Sequence, residues 1–485
     1  MAGILDRFMN KFRPRSAIFR LPLPALLWWL TSFVPAAAHS GEGGFVLLLP
    51  TGYYLAGGTL AVLVSFLLVF LIPAVTVARW GGARLPLGEI PLPPVMLTST
   101  LSAVILLGLL IAGFCGSADP RINPLPVAIW SLWWVGFTFL QAVCGDLWHR
   151  LNPWMAPYRL LMRVMGRHQP WRSYPDWLGY WPAILGFLGF AWFELVDLAP
   201  NDPTRLAVAI LVYAAITLTG MLLFGGEAWL HRADPFSVFL RLIAHLSPID
   251  AEPIAPNRCR LSLVLPGTRL FSLQPLPISG VLFVLLTLSA VSFDGLCRTF
   301  WWLAKGGINP LEFPGRSAVS SLNTAGLLGL WLALAATYLI AIALGRWINP
   351  AMPAARAAGI LVVSIIPISL AYHFAHYLTV LLVDLQYAAL ALSDPFGRGW
   401  NLFGLDSRNV TMSFLNNYHS VVMIWNLQAG AIVLGHILAV AVAHVLSARL
   451  GGDGWRAPFA QMPLAALMVL YTLFGLWLLA APNAG

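Results

Sequence analysis

Charge is scarce in this chain of 485 residues: Asp, Glu, Lys and Arg make up 10% of it, against roughly 25% in water-soluble domains. With 59% hydrophobic residues and a mean hydropathy of +0.78, that scarcity excludes an ordinary soluble fold and leaves a polytopic membrane protein. Cysteine is also rare. Cys115, Cys144, Cys259 and Cys297 form no CxxC or CxxCH, which removes a thioredoxin-like site, a zinc knuckle and covalently attached haem. Neither a GxxxxGK[ST] phosphate loop nor a convincing GxGxxG is present, so the chain does not read as an ATPase or a dinucleotide enzyme. No polar stretch is long enough for a separate soluble domain.

Long apolar runs are what the chain has instead. They predict an all-α fold, a polytopic helical bundle with about ten spans at 54-78, 94-113, 126-145, 178-198, 205-224, 278-296, 318-345, 355-390, 417-446 and 461-481. Residues 1-38 look like a signal peptide or signal anchor. Lys11, Arg13, Arg15 and Arg20 precede a short apolar core, and Ala36-Ala37-Ala38 fits a small-residue cleavage site. Cleavage there leaves His39 as the new N-terminus, whose α-amine and imidazole together would chelate copper. Residues 39-485 then form one transmembrane domain.

Arginine sets the expected orientation. Arg150, Arg159, Arg163, Arg167 and Arg172 fall in 146-177, and Arg232, Arg241, Arg258, Arg260 and Arg269 in 225-277. Loops of the other parity, including 391-416, carry fewer, so 146-177 and 225-277 read as cytoplasmic, 391-416 as periplasmic, and both mature termini as outside in a bacterial inner membrane. The formal charge of +9 therefore points to lipid headgroups rather than to nucleic acid. Arginine and tryptophan interleave in 146-177, as in a basic amphipathic segment lying at the interface. Cys115 and Cys297 both fall near outward helix ends, where an oxidising compartment leaves one disulfide between them open.

Chemistry in such a chain comes from polar groups inside spans. The run 367-387 contains His373, His376 and Asp384. The two histidines are three residues apart and share a helix face, whereas Asp384 lies about 12 Å beyond His376 along the axis. The following span runs antiparallel, bringing His436 to the level of His373, Gln428 towards His376, and His419 and Asn426 towards Asp384. This arrangement predicts a deep set of His373, His376 and His436 able to hold a divalent first-row metal such as zinc, below a shallower layer in which Asp384 and His419 relay protons. A proton or ion relay through these residues, and histidines bonding to carbonyls or to the hydroxyls of Tyr372, Tyr377 and Tyr387 across a helix interface, are the alternatives. Asp146, Glu227 and Asp294 sit at span ends and read as anchors. Asn123-Pro124, Asn152-Pro153, Asp234-Pro235, Asn309-Pro310, Asn349-Pro350 and Asp394-Pro395 read as helix starts, with a substrate-facing role open for Asp119, Asp394 and Trp400. No internal repeat between the two halves is evident.

The AAAHSGEGG start, the segment CGSADPRINPLPVAIWSLWWVGFTFLQAVCGDLWHRLNPW, the segment YHFAHYLTVLLVDLQYAALALSDPFGRGWNLFG and the later IWNLQAGAIVLGH together resemble a bacterial multi-pass family labelled fenitrothion hydrolase-like. That resemblance implies cleavage of an organophosphate triester and draws attention to Asp119, Asn123, Asp146, His373, His376, Asp394 and His436, without roles. On this reading a metal at the three histidines activates water against an apolar aryl phosphotriester arriving from the bilayer. Two other classes stay open, a transporter of a metal ion, proton or small solute, and a non-catalytic subunit of a membrane complex.

Overall fold

The computed structural model describes residues 51-312, 315-405, 410-450 and 459-482; the signal-like segment and His39 lie outside the described residues. Ten helices there are long and apolar enough to cross a membrane, and the chain is a multi-pass integral membrane protein. The spans are α1 (Thr51–Leu71), α2 (Val95–Cys115), α3 (Pro124–Cys144), α5 (Asp176–Leu195), α6 (Pro203–Phe224), α9 (Ile278–Cys297), α10 (Arg316–Ile348), α11 (Ala354–Ser393), α12 (Tyr418–Ser447) and α13 (Met462–Ala480). Shorter helices α4 (Met155–Val164), α7 (Gly226–Arg232) and α8 (Pro235–Ala244) interrupt the series. α9 is buried almost along its whole length and forms the centre, whereas α1 and α2 show most of their surface to lipid.

Several helices begin where the sequence placed a cap. Asn123 Oδ1 accepts from Leu125 N, and Asp234 Oδ2 accepts from Ser237 N, each ahead of a proline in the first turn. Asp202 does the same for α6 through Arg205 N. Asp394 departs from this pattern: its carboxylate accepts from the amides of Arg398 and Gly399 within a loop. Asn349 ends α10 rather than starting a helix.

Residues 225-277 are more than a loop. Gly225, at φ +92°, reverses the chain after α6, and α7 climbs back along it until Asp234 meets Tyr213 and Thr217. Tyr213 lies eleven residues before the end of α6, about 16 Å at 1.5 Å per residue. α8 then descends, and Ser247 just beyond it donates to the Val143 carbonyl near the end of α3. Irregular backbone at this depth survives only when protein covers it. Asp234 and the residues of α8 through Leu240 are all buried, and Phe236 packs 4.7 Å from Trp133 and 4.9 Å from Phe190.

This hairpin has an earlier counterpart. After α3, Gly145 at φ +89° is followed by Asp146, Trp148, His149-Arg150, Asn152-Pro153, Trp154 and the ten-residue α4. After α6, Gly225 is followed by Glu227, Trp229, His231-Arg232, Asp234-Pro235, Phe236 and the ten-residue α8. The repeat joins neighbouring hairpins and not the two halves of the chain. In the first copy, Leu160 and Val164 of α4 remain exposed beside Arg159 and Arg163, as an interfacial segment requires.

A small antiparallel sheet in the order β1-β3-β2 adds to the helices: β1 (Arg84–Pro91), β2 (Ile249–Ala255) and β3 (Arg258–Val264). Arg258 and Arg260 pair with Glu89, and Arg84 with Asp250. Cys115 and Cys297 are free, so the disulfide that the sequence leaves open between them does not form.

α11 approaches the segment before α9 so closely that Leu276 N donates to Gly359 O at 3.0 Å, and a Cβ at Gly359 would strike the Leu276 backbone. Backbone cannot swing aside as a side chain can. Gly359→Val is therefore expected to lower stability by about 3 kcal/mol, read as thermal unfolding in detergent. Gly189→Ala, in open space within its helix, is the control that should change little.

Candidate functional site

A cavity of about 430 Å³ opens among α3, α5, α9, α11, α12 and α13, where Trp130, Trp134, Glu194, Arg298, Arg316, His376, Tyr377, Asp384 and Gln428 line it. The wall from α3 is unusual. Residues Ala128–Phe137 wind as a π-helix, a distortion found frequently at functional sites. From it Ser131 Oγ donates to Asp384 Oδ2 on α11 at 2.5 Å. The Trp134 carbonyl accepts from His373 Nε2 at 3.2 Å.

Helix ends supply the charged groups. α5 stops with Glu194 in its last turn, and the carbonyls at and just past its end are met from α10: Arg316 Nη1 donates to Glu194 O at 3.1 Å and to Asp197 O at 2.7 Å. The last turn of α9 presents Asp294, whose side chain is 2% exposed. Four residues on, Arg298 Nη2 lies 2.9 Å from Asp294 Oδ1, an ion pair without hydrogen-bond geometry. The Asp294 carboxylate holds the Arg298 guanidinium above its ordinary pKa.

Helix α11 joins the two carboxyl groups. His376 Nε2 donates to Asp294 Oδ2 at 2.7 Å. The Tyr377 hydroxyl oxygen lies 2.9 Å from Asp294 Oδ2 and 2.9 Å from Glu194 Oε1. Gln428 Nε2, from α12, donates to the Ala375 carbonyl at 2.7 Å and completes the floor. Behind Tyr377 a void of about 10 Å³, lined by Glu194, Thr287, Ser369 and His373, has room for about one water.

The histidine set expected from the sequence does not assemble. His373 turns to the Trp134 carbonyl, His376 to Asp294, and His436 Nδ1 to the Ile432 carbonyl of its own helix, with the Tyr372 ring 6.1 Å from its imidazole. Among the described residues no three His, Cys, Asp or Glu side chains are grouped to hold a metal ion. As placed, these donors do not fit the zinc-like centre. The shallower layer separates as well. Asp384 lines the cavity, whereas His419 is exposed at the start of α12 against Tyr418, and Asn426 accepts from the Tyr54 hydroxyl.

The other singled-out polar residues hold backbone in place. Asp119 accepts from Arg121 N, Asn123 caps α3, and Asp146 accepts from Gln141 and from His149 N. Gln428 does reach the level of His376, as its position on an antiparallel span requires. Glu194, Arg298 and Arg316 are site residues that the sequence does not single out, and Tyr377 enters there only as a hydrogen-bond partner for histidine. Their available signals were a carboxylate inside the apolar run FAWFEL and an Asp-Arg pair at i, i+4 spanning a helix end. Comparison of the chain with protein-family models, curated proteins and solved structures finds no match in any of the three.

Proposed function

We propose that this membrane protein carries a small solute together with a proton, with the cavity as the solute site and Glu194 as the proton site. The observation that supports this reading most is the Tyr377 bridge. A phenol has one hydrogen, yet its oxygen sits at hydrogen-bond distance from two carboxyl groups. Asp294, facing Arg298 and accepting from His376, is the group held ionised, so Tyr377 donates to it. The contact with Glu194 is then a hydrogen bond only if Glu194 is the donor, that is, protonated. A dissociable proton beside a solute-sized cavity inside the spans is what proton coupling requires. The arginine bias of the loops supports a cavity facing the outside, and discontinuous helices packed beside it recur in carriers.

The test is proton uptake by proteoliposomes, read with an entrapped pH-sensitive dye, on applying amino acids, sugars, organic anions and amines in turn. At least one class is expected to evoke solute-dependent proton uptake, which Tyr377→Phe lowers at least about tenfold. Silence across all four classes contradicts the reading.

Hydrolysis of an aryl phosphotriester is favoured by one separate observation: His376 faces the cavity with Asp294 behind it, as a general base with its orienting partner. Arg298 and Arg316 would meet charge developing on the phosphoryl oxygens. Release of a chromogenic phenol by the purified protein, lost in His376→Gln, is the expected result on this reading. No release by the wild type removes it.

A further inference from the structure

We propose that the carried solute is a small organic monoanion with an apolar body, its charge held between Arg298 and Arg316 while Glu194 keeps its proton. The inference rests on the carrier reading and assigns its substrate class. The cavity has two kinds of wall. Trp130, Trp134, Ile432 and Leu478 offer aromatic and aliphatic surface, while Arg298 and Arg316 both line it from helix ends. Each arginine uses one terminal nitrogen in the contacts to Asp294 and to the carbonyls of Glu194 and Asp197, out of five N–H donors on each guanidinium.

Charge selects the sign of the ligand. Glu194 is faced by Asp294 of α9 and Arg298 just beyond its end, by Arg316 of α10 and by Tyr377 of α11, with His376 beside Asp294 and lining the same cavity. With Glu194 protonated, two guanidinium groups stand against the single carboxylate of Asp294 at this end of the cavity, Asp384 being at the other, and even with no charge on His376 one positive charge is left here for a ligand to neutralise. Ionisation of Glu194 cancels that charge, so anion and proton bind together. Asp384 limits the ligand's charge further. It lies seven residues beyond Tyr377, about 10 Å along α11, tied to Ser131 on the opposite wall, where it repels a second negative group. The wall beside it is therefore left to the apolar body.

Isothermal titration calorimetry of the detergent-solubilised full chain tests this with benzenesulfonate, which stays ionised and carries no proton of its own. The comparison ligands are 1,3-benzenedisulfonate, benzyl alcohol and benzyltrimethylammonium. Benzenesulfonate is expected to bind at least tenfold tighter than any of the three. Its affinity should fall as rising pH ionises Glu194, and Glu194→Gln should bind while losing that pH dependence. Arg298→Gln should weaken binding at least tenfold, with Arg298→Lys recovering part of the loss. No binding of benzenesulfonate at millimolar concentration, or equal binding of the disulfonate, the alcohol or the cation, overturns the assignment on the wild type alone. Benzenesulfonate binding without flux into vesicles would overturn carriage and leave the ligand class standing. Proton-coupled flux of a non-anion would overturn the class and leave carriage standing.

Discussion

Glu194→Gln is expected to lower proton-driven solute accumulation in proteoliposomes by about 100-fold, the loss typical when a proton-transferring group is removed. Glutamine keeps the shape of the protonated side chain and can still donate to the Tyr377 oxygen, so the packing of α5 against α9 and α11 survives. Exchange of solute across the membrane without a pH gradient should continue, because that process needs the site filled but not titrated. Glu194→Ala is less informative, since it removes the donor as well as the proton. A Glu194→Gln protein that still accumulates solute against its gradient would place the coupling proton elsewhere.

Asp234→Ala is expected to cost about 3 kcal/mol of stability. Two contributions add, loss of the cap on α8 and a buried Tyr213 hydroxyl left without its acceptor. Asp234→Asn keeps the cap and should cost less. The effect reaches the site because α8 supplies Phe239, 5.3 Å from the Trp134 ring, and Trp134 lines the cavity. Denaturant or thermal unfolding in detergent measures it, and a loss below about 1 kcal/mol would show that the re-entrant hairpin does not depend on this carboxylate.

The spans were legible because a membrane helix needs about twenty apolar residues, and few other structures produce such runs. The re-entrant pair was not. The ten residues of α8 are too few to cross, so Pro235–Ala244 reads as part of a polar loop until its partners Trp133, Trp134 and Phe190 are in view. The histidine set failed for a related reason. Rise per residue fixes the level of a side chain along its helix but says little about which neighbour it turns to. His373 and His376 differ by about 60° around the axis, enough to send one to α3 and the other to α9. The same depth argument worked for Gln428, whose contact with the Ala375 carbonyl depends on level alone. Glu194 and Asp294 were each visible as acids in apolar runs. Their convergence on one tyrosine depends on how two helix ends pack against the middle of α11, which no local pattern encodes.

Infrared difference spectroscopy of the carboxyl C=O stretch, on wild type and on Glu194→Gln at neutral pH, tests the central claim most directly. The Tyr377 bridge predicts a protonated-carboxyl band in the wild type that disappears in Glu194→Gln and persists in Asp294→Asn; its absence from the wild type, or its survival in Glu194→Gln, would contradict Glu194 as the proton site.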